Sequence, residues 1–213
     1  MALKDKSDFT DSEIKGFINF AFHDYLGART LLLAKLPTQG TILGITSLEK
    51  LLKAYSLLSG DKIKVGRGGH TIFTMAKTIQ SKNPVLIDIE DLAFIEHINK
   101  GYFLRYPDNL TSNFELYFPA KRILENLDRV FCRIIEENTI DSYNKNFKSY
   151  DIYKRSSNLM LLKKNVHFNI SLKNVLSDET QHFSYYKFDG NIFTERFSTT
   201  NLCKHDKDWN EPL

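Results

Sequence analysis

The residues best suited to chemistry lie in a basic, glycine-rich run, Asp61-Lys-Ile-Lys-Val-Gly-Arg-Gly-Gly-His70. A histidine titrating near neutrality can act as general base on a ribose 2′-hydroxyl while an arginine holds the phosphate. Arg67 and His70 are the candidate pair for such metal-independent cleavage. Gly68 and Gly69 let backbone N–H groups approach an anion, and a helix opening just behind them favours negative charge. The run matches neither the Walker pattern GxxxxGK[ST] nor the dinucleotide pattern GxGxxG. A solvated loop, with His70 capping the next helix, is the competing reading.

Two further groups can bind an anion or a base. Lys50 and Lys53 stand one turn apart on a helix and can neutralise phosphates from one face; as ordinary surface lysines they would do nothing specific. Tyr102, Arg105 and Tyr106 alternate rings and a guanidinium beside Pro107. An arginine pairs bidentately with phosphate and a tyrosine stacks on a base. Alternatively the tyrosines fill the bundle end and Arg105 pairs with Asp24 or Asp108. Cys203-x-His205-Asp206 resembles a metal fragment without a partner cluster, and Cys132 reads as a small core residue. No metal site and no cofactor is expected.

The elements that must position these residues are mostly helical. Thr10 and Glu13 have capping-box spacing and Phe9 with Ile14 has staple spacing. Behind them Ile14, Phe17, Ile18, Ala21, Tyr25, Ala28 and Leu32 form one helical stripe that Pro37 ends. Ile42, Ile45, Leu48, Leu52 and Tyr55 share a face of a second helix, with Glu49 and Lys53 as an i,i+4 pair on its wet side. The short connection predicts antiparallel neighbours. A third helix carries Ile72, Met75, Ala76 and Ile79. Asp88 caps a fourth with Leu92, Ile95 and Tyr102. A fifth has Pro119 as its first residue and the stripe Ala120, Ile123, Leu124, Leu127, Phe131 and Ile134. Its other side is charged, with pairs Lys121/Glu125, Glu125/Arg129 and Arg133/Glu137, and partly basic through Arg122, Arg129 and Arg133.

Beyond residue 138 the composition shifts to Asn, Ser, Tyr and Lys. Two aromatic runs flank Asp189-Gly190, which predicts a hairpin over residues 182–197. Leu159 to Leu162 and Val166 to Leu172 are weaker strand candidates. The expected architecture is an all-α up-and-down bundle of about five helices over 1–140, with a small β-prone appendage over 141–213.

The whole chain of 213 residues can bury a core without disulfides. Lys plus Arg total 29 against 26 Asp plus Glu, a net charge of +3, which permits a polyanionic partner without demanding one. At 42% hydrophobic and 26% charged, the composition excludes collagen-like, disulfide-rich and disordered classes. Two distant cysteines fit a reducing cytoplasm. No leader-type apolar region opens the chain, and no apolar run approaches the roughly 20 residues of a membrane span.

Four pieces recur in one order: Ala21-x-x-Asp24-Tyr25-x-x-Ala28, then Ser47-Leu-Glu49-Lys50-Leu-Leu-Lys53-Ala54, then Gly69-His70-Thr-Ile, then Arg105-Tyr106-Pro107-Asp108. Over residues 10–138 this order resembles the HEPN (higher eukaryotes and prokaryotes nucleotide-binding) family. The resemblance implies a helical bundle that commonly dimerises and binds nucleotide or RNA, in some members as a ribonuclease or toxin of toxin–antitoxin pairs, in others beside a nucleotidyltransferase partner. Catalytic members carry Arg, four to six residues, then His. Here Arg67 and His70 enclose two residues, and no other Arg precedes a His at that spacing. The expected function is therefore noncatalytic binding of nucleotide or RNA by a homodimer. A metal-independent endoribonuclease using Arg67 and His70, and a homodimeric interaction module, are the alternatives.

Overall fold

The computed structural model describes residues 3–64, 72–102, 114–137, 140, 180–189 and 192–201. The elements in order are β1 (Leu3–Lys4), a 3-10 turn (Lys6–Asp8), α1 (Asp11–Leu33), α2 (Pro37–Leu58), β2 (Ile63–Lys64), α3 (Ile72–Lys82), α4 (Ile89–Lys100), β3 (Phe114–Pro119), α5 (Ala120–Ile135), β4 (Thr180–Asp189) and β5 (Ile192–Asn201). The architecture is a five-helix bundle with a small β part. Among the described residues no helix is long and apolar enough to cross a membrane.

Local capping chemistry sets the helix starts. Thr10 Oγ1 accepts from the Glu13 N–H at 3.2 Å, and Glu13 Oε2 accepts from the Thr10 N–H at 2.8 Å. Such a box satisfies two of the donors a helix N-terminus leaves open. Asp88 and Asp91 repeat the device on α4. Pro37 does more than stop α1: it is the first residue of α2, where its missing N–H costs nothing. Lys35, at φ 66°, makes the reversal between the two helices. Pro119, by contrast, caps α5 from outside with extended ψ, one residue earlier than its expected place within the helix.

Helix α2 is the centre of the bundle and touches each of the other four helices. That position explains its composition. Gly40, Gly44 and Ser47 face α1 and α5, where larger side chains would not fit: a Cβ on Gly40 would lie 2.6 Å from Leu32 Cγ and 3.1 Å from the Ala28 carbonyl oxygen. The close approach lets Ser47 Oγ donate to the Ala21 carbonyl at 2.7 Å. The contacts Leu32–Gly40, Ala28–Gly44 and Ala21–Ser47 run in opposite chain directions, so α1 and α2 are antiparallel.

Being central also removes the wet side expected of α2. Glu49 is only 6% exposed, and its pair with Lys53 is largely buried instead of solvated. The charged side of α5 is corrected in the same way. Arg129 Nε donates to Asp91 Oδ1 at 2.8 Å, and Arg133 donates to both Asp88 and Asp91. Asp91 is fully buried. A buried carboxylate needs nearby cations, so these two arginines face α4 and do not form an open basic surface.

The β part begins earlier than the appendage. β3 directly precedes α5 and pairs antiparallel with β4, Phe114 opposite Phe188 and Pro119 opposite Phe183. β4 pairs antiparallel with β5, from Thr180 opposite Asn201 to Asp189 opposite Ile192, giving the sheet order β3-β4-β5. Alternation buries Leu116 and Phe118 of β3 in the main core. The ring of Phe118 sits against Gly101, where an added Cβ would meet it at 2.7 Å. The weaker strand candidates over 159–162 and 166–172 lie outside the described residues.

Two glycine substitutions should carry opposite signs. Gly16 lies inside α1 with only Phe20 Cε2 within 4.0 Å of an added Cβ, so Gly16→Ala should gain about 0.5–1 kcal/mol through helix propensity. Gly40→Ala must displace Leu32 and crowd a backbone carbonyl, and should lose about 1–3 kcal/mol despite the same propensity gain. Urea denaturation of the two variants against the parent checks both signs.

Candidate functional site

The most tightly organised polar group joins α1 to α5. Tyr25 and Arg29, one turn apart on α1, both reach Asp128. Arg29 Nε donates to Asp128 Oδ1 at 2.7 Å and Nη2 to Oδ2 at 2.9 Å, a bidentate fork. The Tyr25 hydroxyl donates to Oδ1 at 2.7 Å. Arg29 is 0% and Asp128 1% exposed. The Tyr25 ring stacks parallel on Phe131 with centroids 4.0 Å apart, and Cys132 Sγ lies 3.7 Å from the hydroxyl.

Burial raises the Tyr25 phenol well above its ordinary range, and the charge of Asp128 adds to this, so Tyr25 stays a donor. Burial alone would lower Arg29, but its hydrogen bonds to Asp128 and that charge outweigh it and raise it. The group is thus closed to solvent. It holds α1 against α5.

A more accessible group lies on the other side of the α1–α2 hairpin. Lys50 donates to Asp24 Oδ2, and its Nζ lies 5.8 Å from the centroid of the Phe20 ring. The ring is 60% exposed, while the side chains of Lys50 and Asp24 are each under a third exposed. Phe20 lies off the buried stripe of α1, so the helix itself turns it outward. A ring with an adjacent ammonium can stack a planar base and contact its phosphate once Lys50 turns from Asp24.

The residues expected to form the site are placed unevenly. Lys50 and Lys53 lie on α2, each already in an ion pair, with Asp24 and Glu49 respectively. Asp24 therefore has a partner in Lys50; its expected partner Arg105 lies outside the described residues. Tyr102 follows α4 and packs against the main core. Arg67, Gly68, Gly69, His70 and Tyr106 also lie outside the described residues, as do Cys203 and His205. Cys132 is buried beside the α5 stripe. Among the described residues no three His, Cys, Asp or Glu gather into a metal-holding group.

Three participants escaped the reading of the sequence. Arg29 and Asp128 each interrupt an apolar face without an opposite charge three or four residues away on their own helix, which is the signature of a partner on another element. Phe20 is an aromatic residue out of phase with its stripe, the signature of an exposed ring.

With this geometry in place, the comparisons with known proteins return nothing: no family model, no curated protein and no solved structure matches the chain.

His97, on α4, is a half-buried ionisable group. Its Nε2 donates to the Tyr117 carbonyl of β3 at 2.8 Å, and its ring meets Phe118 edge-on at 5.8 Å. Burial holds its pKa below the ordinary 6.5, with Lys100 and Arg122 adding repulsion, against the opposing effect of the carbonyl bond. The neutral ring therefore stabilises the fold fully above pH 6.5, and this share is lost as pH falls from 6.5 through the lower folded value, because the unfolded chain takes the proton first. Urea midpoints between pH 7.5 and pH 5 should fall more steeply for the parent than for His97→Gln.

The α1–α5 pair predicts a further asymmetry. Asp128→Asn strands a buried guanidinium and should cost about 3–5 kcal/mol. The triple variant Tyr25→Phe/Arg29→Met/Asp128→Leu removes every polar partner together and should regain most of that loss in urea melts.

Proposed function

We propose that this chain is a HEPN-like protein that binds nucleotide or RNA as a homodimer and does not cleave it. The observation that carries the reading is the meeting of Asp24, Lys50 and Phe20 on the outer side of the α1–α2 hairpin. It draws together the Asp24 and Glu49-Lys50 pieces of the ordered motifs and adds an exposed ring, the ordinary platform for an unpaired base. The compressed Arg67-to-His70 spacing supports binding without cleavage.

The expected result is binding of a fluorescent oligouridylate at low salt. Phe20→Ala should weaken it by about 1–3 kcal/mol, the usual loss of one stacked base. Lys50→Gln should weaken all sequences alike and lower the slope of log affinity against log salt by about one. Anisotropy titrations at several salt concentrations read both effects. Absence of low-salt binding contradicts the proposal, and so does RNA cleavage in EDTA that His70→Ala abolishes; the latter reassigns the chain to the ribonucleases.

A further inference from the structure

The Asp24–Lys50 pair leaves one acceptor open. Lys50 donates to Asp24 Oδ2, and among the described residues nothing donates to Oδ1. Asp24 follows Phe20 by four residues on α1, so the carboxylate stands one turn along the same side of the helix as the exposed ring. Its side chain is 21% exposed, so a ligand can reach it. The neighbouring carboxylate, Glu49, is 6% exposed and engaged by Lys53. Asp24 is therefore the acceptor that a base lying on Phe20 would meet.

The chemistry of that acceptor narrows the choice of base. A ligand phosphate that draws Lys50 away removes the one donor the described residues give Asp24. A partly buried carboxylate left without donors is costly, so the bound base has to replace the ammonium. An ionised carboxylate only accepts. Unpaired bases are read along their Watson–Crick edges while their faces stack on a ring. Guanine alone presents two adjacent donors there, N1–H and the N2 amino group, to match the two carboxylate oxygens. Adenine and cytosine set one amino donor beside a bare ring nitrogen, and uracil sets one N–H between two carbonyls. In each of those an acceptor faces a carboxylate oxygen, which is repulsive and selects against the base.

We propose that Asp24 is the specificity-determining residue of the Phe20–Lys50 site and that the site selects guanine. The base stacks on Phe20, Asp24 accepts from N1–H and the N2 amino group, and Lys50 passes from Asp24 to the phosphate. The exchange leaves no charge unmatched: the ammonium trades a carboxylate for a phosphate, and two base N–H groups take its place. This rests on the binding function proposed above and names the base which that site takes.

The test is displacement of the fluorescent oligouridylate from the full chain at low salt by GMP, IMP, AMP and UMP. GMP should displace the probe at a concentration at least about fivefold lower than AMP or UMP, the discrimination of one bidentate base contact. IMP keeps N1–H but lacks the amino group, and should fall between. Asp24→Asn replaces one acceptor oxygen by a donor and should bring GMP level with AMP. Lys50→Gln should weaken all four ligands and keep GMP ahead, because the carboxylate stays. Equal displacement by all four in the parent overturns this inference alone. So does IMP equal to GMP, a GMP preference that survives in Asp24→Asn, or one that vanishes in Lys50→Gln. A parent that fails to bind the oligouridylate overturns the proposed function and this inference with it.

Discussion

One buried ion pair constrains how α1 meets α5. Arg29 and Asp128 are brought together from positions 99 residues apart in the chain, with Tyr25 closing the remaining acceptor site. Desolvating two charges costs several kcal/mol per ion, and only near-ideal geometry with full hydrogen bonding returns it. The bidentate fork and the tyrosine hydroxyl meet that condition. An offset of one helical turn between α1 and α5 would leave a guanidinium and a carboxylate buried apart. The pair therefore penalises such an offset, and the Tyr25–Phe131 stack lies beside it in the observed register.

Given that register, the demands on α2 are severe. It threads between α1 and α5, with Gly44 packed between Ala28 and Leu127. Its small residues are a consequence of central position, and so is the burial of Glu49 with Lys53. The same economy appears at α4, where the capping carboxylate of Asp91 is buried and draws in Arg129 and Arg133. Arg29 with Asp128, and Asp91 with Arg129 and Arg133, are matched across elements. Phe20 beside Lys50 is an exposed ring on the α1–α2 hairpin, where Leu33 and Leu36 are also exposed.

Features set by neighbours in sequence were legible. The Thr10 and Asp88 caps, the apolar stripes of α1 and α5 and the α1–α2 reversal follow from contacts within four residues, and the structure contains them. Features set by distant neighbours were not. Glu49 and Lys53 look like a solvated pair until four other helices surround α2. Phe114 to Pro119 is too short to announce itself, because its strand partner lies beyond residue 180. The short β1–β2 pair is invisible for the same reason. At the candidate site, Lys50 was legible as a cation, but its engagement by Asp24 and its place beside Phe20 depend on how closely two helices pack.

The central functional claim is that the outer side of the α1–α2 hairpin receives an unpaired base. Photocrosslinking to an oligonucleotide carrying 4-thiouridine tests it most directly, because the photoproduct records which side chain lies against the base. After tryptic digestion the crosslink should fall on the peptide Gly16–Arg29, at Phe20, and should vanish in Phe20→Ala. Crosslinks confined to other peptides, or none at low salt, would contradict the account.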